Sequence, residues 1–157
     1  MRKRGKHFPG KGTGGGNPHA WQHAINMQHG MTKDQLDDLG KAIHHGIERM
    51  RLGHGIEEDF WTFAAMANVS LILCERGVGE EYLPIVFALQ DALMEIKARH
   101  KRTGKWGFSG PEMQAIGDGA TLHEQQIANV PRGACRDALF EARRRAARGD
   151  ILQRVAA

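Results

Sequence analysis

Residues 57–76 read EEDFWTFAAMANVSLILCER, and how this stretch folds decides the class of the protein. Phe60, Phe63, Ala64, Ala67, Leu71 and Cys74 recur at three- and four-residue steps, the spacing of one helical face. Trp61, Ala65, Val69 and Ile72 widen that stripe until little of the circumference is polar. A helix apolar on so many sides has to be covered on so many sides, which predicts a central helix with others packed around it. Glu57, Glu58 and Asp59 stand in its first turn, where carboxylates favour the positive end of the helix dipole. Gly77, directly after Arg76, is a C-terminal stop.

The neighbours on either side repeat the helical pattern. Downstream, Tyr82, Val86, Leu89, Leu93 and Ile96 are in register over a helix from Gly79 to about Arg102, with Pro84 tolerated in its first turn. The short Gly77-Val78-Gly79 link predicts that these two helices pack as an antiparallel hairpin. Upstream, Thr32 to Gln35 matches a capping box, and Leu36, Leu39, Ile43, Ile47 and Met50 follow it to Gly53. Before that, Asn17-Pro18 opens a shorter helix that stops near Gly30. Ser109-Gly-Pro-Glu112 is a second capping box, opening a helix that buries Met113, Ile116, Ala120, His123 and Ile127, with Gly117 and Gly119 weakening it. After a break at Asn129-Val-Pro131, a last helix turns Cys135, Ala138, Leu139, Ala142 and Ala146 inward and ends at Gly149. Almost no two-residue strand alternation occurs. The expectation is an all-α fold: a bundle of about five helices over residues 17–149, a basic tail before it and a short tail, 150–157, after it.

A chain of 157 residues suits one domain with a single core. Its net charge of +4 is a property of the N-terminus, because Arg2, Lys3, Arg4, Lys6 and Lys11 put +5 into the first sixteen residues and leave −1 for the rest. Those residues, MRKRGKHFPGKGTGGG, hold six glycines and too little apolar surface to offset chain ordering, so they are expected to be disordered. No apolar run approaches the roughly 20 residues of a membrane span, and no apolar segment follows the basic start as a secretion signal requires. Cys74 and Cys135 sit among apolar residues of expected helices, as reduced packing residues do. Together these features point to the cytoplasm.

Chemistry-bearing motifs are few. Gly104-Lys105 suggests a phosphate loop, but Trp106 follows instead of Ser or Thr and no strand precedes it, so a Walker-type site is excluded. The surrounding cations, Lys97, Arg99, Lys101, Arg102 and Lys105, either face the negative end of a helix dipole or meet phosphates, with Trp106 exposed at the turn to stack a base. The run EARRRAAR supplies a second basic face through Arg143, Arg144, Arg145 and Arg148, the alternative being a solvated helix surface with Asp137 and Glu141. His19 and His23 have a metal-compatible spacing, yet no H-E-x-x-H or cysteine pair completes a zinc set, so no metal or other cofactor is expected. Ser70, Ser109 and Cys74 lack the context of nucleophiles. His123 and Asn68 read as core groups needing hydrogen bonds.

The start MRKR, Asn17-Pro18, EEDFWTFAAMANV (57–69), KRTGKWGFSGPEM (101–113) and LHEQQI (122–127) together resemble small helical proteins encoded in phages and prophages of proteobacteria. That resemblance implies a binding protein working in a host cytoplasm and carries no catalytic residues. The expected function is therefore non-enzymatic contact with DNA or RNA backbone, or with an acidic host or phage protein, through Arg2, Lys3, Arg4, Lys6, Lys101, Arg102, Lys105, Trp106, Arg143, Arg144, Arg145 and Arg148. The alternatives are a structural or regulatory interaction module, dimeric through the apolar hairpin, and a small metal-dependent enzyme using the histidines.

Overall fold

Helix α2, Glu57–Glu75, has twelve of its nineteen residues buried and touches every other helix. The computed structural model describes residues 27–150, and around α2 it places α1 (Lys33–Arg51), α3 (Leu83–Thr103), α4 (Gly110–Ala128) and α5 (Arg132–Arg148). Among the described residues the fold is all-α, with no strand. The tail 1–16, the start of the helix expected from Asn17 and residues 151–157 lie outside the described residues; residues 27–28 are helical.

The reason α2 shows no single apolar face is that it separates two larger cores and, through Cys74, joins Val86 and Leu122 in a third, smaller one. On one side Phe60, Phe63 and Ala67 meet Ile43 and Met50 of α1, Leu89, Leu93 and Ile96 of α3, and Ile116 of α4. On the other, Val69, Ile72 and Leu73 meet Ile127, Cys135, Ala138 and Ala142, which seat α5. The first core leaves Phe60, Phe63, Leu89 and Ile116 without exposed surface, and the second does the same for Ala138.

Both capping boxes form. Thr32 Oγ1 accepts the Gln35 N–H at 3.3 Å while Gln35 Oε1 accepts the Thr32 N–H at 3.0 Å. Ser109 and Glu112 exchange the same pair of bonds at the head of α4. Each box satisfies two of the backbone donors a helix start leaves open.

Four positions depart from the helical register read in the sequence, one of them Ala65, which is exposed on α2 although its spacing sets it in the apolar stripe. Tyr82, 45% exposed, lies in a 3-10 turn, Glu80–Tyr82, that precedes α3 and so falls outside that helix's inner face. Leu39 and Met113 are also exposed, the first on the wall of an open groove and the second in the opening turn of α4. Gly119 is more than a weak helix residue. A Cβ there would stand 2.6 Å from Leu89 Cδ2, so its absence lets α3 and α4 approach.

Candidate functional site

The joint between α3 and α4 is built around Arg99. Its guanidinium donates to Glu112 Oε2 at 2.7 Å, to Glu112 Oε1 at 2.5 Å and to the Gly107 carbonyl at 3.1 Å. Glu112 is almost fully buried, and the Arg99 hydrogen bonds hold its carboxyl below the usual carboxylate range. Arg99 therefore staples the turn and does not belong to a surface cation cluster. Gly104 adopts a left-handed φ of 69° to end α3, and Thr103 Oγ1 accepts the Lys105 N–H at 3.2 Å. These bonds fix the backbone from which Lys105 projects.

Trp106 is not exposed at the turn as its sequence neighbours suggest. Its ring stacks on His100 at 3.8 Å between centroids and on Phe60 at 4.9 Å, with planes 7° and 25° apart. The backbone beside it pairs with Gly55 from the α1–α2 loop, where a Cβ would come within 2.8 Å of the Trp106 carbonyl oxygen. With both neighbours in place, Trp106 is a half-buried keystone of the joint and not a platform for a base. Around it Lys101, Arg102 and Lys105 are exposed, and none has a carboxylate partner among the described residues. Lys97 reaches over the Trp61 ring at 5.5 Å.

The arginine face of α5 is different. Arg145 bonds Glu141 Oε1 at 2.9 Å and Glu75 Oε1 at 3.0 Å, and its side chain is only 23% exposed. The hydrogen bond to Glu75, then its charge and that of Asp150, raise the Arg145 pKa above the ordinary guanidinium value against the opposing effect of burial. Arg144 pairs with Glu141, Arg148 with Asp150 at 3.0 Å, and the Arg143 guanidinium lies 6.0 Å from the Phe140 ring. The sequence count of cations overstates what this face presents, and Arg145 in particular is a packing residue. Arg2, Lys3, Arg4 and Lys6 lie outside the described residues.

The buried polar groups are structural in their bonding. His123 Nδ1 meets Ser70 Oγ at 3.2 Å across α2 and α4, and burial lowers its pKa to about 4, so the imidazole is neutral at physiological pH. Gln126 donates to the Ser70 and Val78 carbonyls at 3.2 and 2.9 Å. Asp59, read in the sequence as a dipole residue, accepts the Ile56 N–H at 3.1 Å and is gripped by Arg49 through two bonds, one of 3.0 Å. Burial pushes the Cys74 and Cys135 thiols up, which keeps both protonated. Asn68, read in the sequence as a core group, is buried on α2.

Two concavities stand out among the described residues. One of about 410 Å³ lies between α1 and α4, where His44 Nε2 and Glu124 Oε1 stand 2.6 Å apart on half-exposed side chains. Eighty residues separate the pair in the chain, so no local pattern announces it. The other, about 700 Å³, is an apolar groove between α1, α2 and α5 with His123 at its edge. Among the described residues no three His, Cys, Asp or Glu side chains gather as a metal site, and His19 and His23 lie outside them. No helix among these residues is long and apolar enough to cross a membrane. No family model, curated protein or solved structure matches the chain.

Proposed function

We propose that this protein is a non-enzymatic binding protein that contacts nucleic acid through the phosphate backbone, using the α3–α4 joint together with the basic N-terminal residues. One observation carries the reading: Lys101, Arg102 and Lys105 project from a joint locked by Arg99, Glu112 and Trp106, and no carboxylate of the described residues neutralises them. Preset cations bind phosphate with less ordering of side chains than cations on a loose turn. Trp106 is engaged on both faces, so the contact is with the backbone and carries little sequence information. Arg2, Lys3, Arg4, Lys6 and Lys11 add a second set of cations. The resemblance to phage-encoded helical proteins supports a host cytoplasm as the setting.

The test is binding of a labelled DNA duplex across a salt series. Each neutralised phosphate contributes about −0.9 to the slope of log K against log salt. Replacing Lys101, Arg102 and Lys105 by Ala should flatten that slope by about 2 to 3 and weaken binding at least tenfold at low salt. Replacing Arg143, Arg144 and Arg148 by Gln should change the slope by less than about 1. Salt-insensitive binding, or equal losses from both triples, overturns the reading. Poly-glutamate competing as well as DNA at equal charge would redirect it to an acidic protein partner.

A second reading is favoured by one feature of α3. Phe87 and Met94 are 51% and 55% exposed on its outer side, an apolar pair suited to another protein surface. Light scattering of the wild type and of Phe87→Glu distinguishes a homodimer through this face from a monomer.

A further inference from the structure

The groove between α1, α2 and α5 encloses about 700 Å³, within the roughly 300–1,000 Å³ typical of small-molecule sites. Leu39, Ile43, Met66 and Leu139 wall it, with Leu39 44% exposed there. An apolar wall alone chooses no occupant. A polar atom left open on that wall does.

His123 reaches the groove from α4, although it is only 9% exposed. Its Nδ1 meets Ser70 Oγ at 3.2 Å, while Nε2 has no hydrogen-bond partner among the described residues. Ser70 is wholly buried and does not line the groove, so Nδ1 points into the core and Nε2 toward the groove. The same contact fixes where the imidazole proton sits. His123 Nδ1 is the one partner of the Ser70 hydroxyl among the described residues, and a buried hydroxyl places its hydrogen on an acceptor. Ser70 therefore donates, Nδ1 accepts, and the neutral ring carries its proton on Nε2. The wall presents an N–H donor that the described protein does not use itself.

Charge around the groove has one sign to spare. Asp38 is the one carboxylate among the described lining residues, and Lys41 holds it at 3.4 Å. Arg132 and Arg136 line the groove from the head of α5, and Arg132 Nε donates to the Gly30 carbonyl at 3.2 Å, which sets its guanidinium at the rim. No acid stands in the first turn of α5, so the positive end of that helix dipole adds to the same field. We infer that the groove binds a long-chain aliphatic carboxylate, its chain along the apolar wall and its head accepting from His123 Nε2–H in the field of Arg132 and the start of α5. A neutral or cationic head forgoes that field, and a polyanion forgoes the apolar wall. The groove and the α3–α4 joint share no residue, so the inference stands apart from the nucleic-acid reading.

Calorimetric titration of the intact chain with dodecanoate, dodecanol and dodecyltrimethylammonium tests it. Dodecanoate should bind one molecule per chain, at least tenfold more tightly than either of the others. Leu39→Trp and Ala65→Trp, at exposed positions of two facing walls, should each weaken dodecanoate binding at least tenfold by filling the groove. Arg132→Gln should weaken dodecanoate severalfold and leave dodecanol unchanged, which a merely structural loss would not do. In the wild type the imidazole Nε2–H resonance of His123 should shift as dodecanoate saturates, a readout that needs no substitution of a core residue. Absence of saturable dodecanoate binding overturns the inference, as does an equal affinity for dodecanol or the ammonium. Binding that survives both tryptophan substitutions, or that leaves the His123 resonance unmoved, places the ligand elsewhere and overturns it too.

Discussion

The α3–α4 joint and the outer face of α5 carry similar numbers of cations and use them in opposite ways. At the joint, one arginine, Arg99, takes the buried carboxylate of Glu112 and leaves Lys101, Arg102 and Lys105 to solvent. On α5, Glu141, Glu75 and Asp150 engage Arg144, Arg145 and Arg148, so the arginines hold helix to helix and helix to its own end. The number of basic residues in a segment is therefore a poor measure of its charge toward a ligand. What counts is whether carboxylates lie within reach in the folded chain.

The largest expected effect tests the frame that both regions share. Joint and α5 lean on α2 and α4, and between those helices His123 is buried neutral with a pKa near 4 against an ordinary 6.5. A base whose folded pKa is depressed takes up a proton on unfolding, so stability is complete above pH 6.5 and falls as the pH drops toward 4. A shift of that size corresponds to about 3 kcal/mol across the window. Urea unfolding at a series of pH values should show the loss, and His123→Leu should flatten it. Glu112 loses stability in the same direction but only as the pH falls through the carboxylate range, so it leaves the upper part of the window to His123. An unchanged slope in His123→Leu contradicts the assignment.

Next in size is a pair of aromatic deletions. Trp106→Ala removes a ring packed on two others and should destabilise by about 2 kcal/mol in urea unfolding. Phe140→Ala, at a ring 49% exposed on α5, should change stability by no more than about 0.5 kcal/mol. Similar losses from both would erase the distinction between a joint that is packed and a face that is solvated. Glu112→Gln follows at about 1.5 kcal/mol, because it leaves the Arg99 guanidinium with a neutral partner in a partly desolvated site.

Much of this comparison is legible in the sequence, and the illegible part has a common cause. The centrality of α2 follows from apolar residues on all its sides, and both capping boxes from four-residue patterns. The dissection of 99–113 into a helix end, a turn and a cap likewise rests on local signals. Even the Glu141 pairs with Arg144 and Arg145 are spaced three and four residues apart, where helix neighbours meet. The burial of Trp106 depends on Gly55 and Phe60 arriving from another loop and another helix, and the quenching of Arg145 by Glu75 spans seventy residues. A lone tryptophan between Lys105 and Gly107 looks exposed because its immediate neighbours do not cover it, and His100, six residues back, stacks on it only once the turn has folded. The same distance hides the His44–Glu124 pair.

The smallest expected effect is also the sharpest test of what the α5 carboxylates do. Glu141 is shared by Arg144 and Arg145, so Glu141→Gln leaves both guanidiniums with weaker partners on one helix face. Glu141 is largely buried, but Arg144 stays in water, Arg145 keeps Glu75 and the Gln oxygen still accepts a hydrogen bond, so the variant should lose no more than about 1 kcal/mol. Its effect on binding has the opposite sign. Arg145 keeps Glu75, but Arg144 is exposed and becomes available to phosphate, so duplex affinity at low salt should rise about twofold, with a salt slope steeper by about one phosphate. Combined with the joint triple Lys101, Arg102 and Lys105 to Ala, the gain should persist while the overall affinity stays low, since the two surfaces act on separate phosphates. A charge-neutralising change on α5 that left affinity and slope untouched would mean that this face never approaches the polyanion.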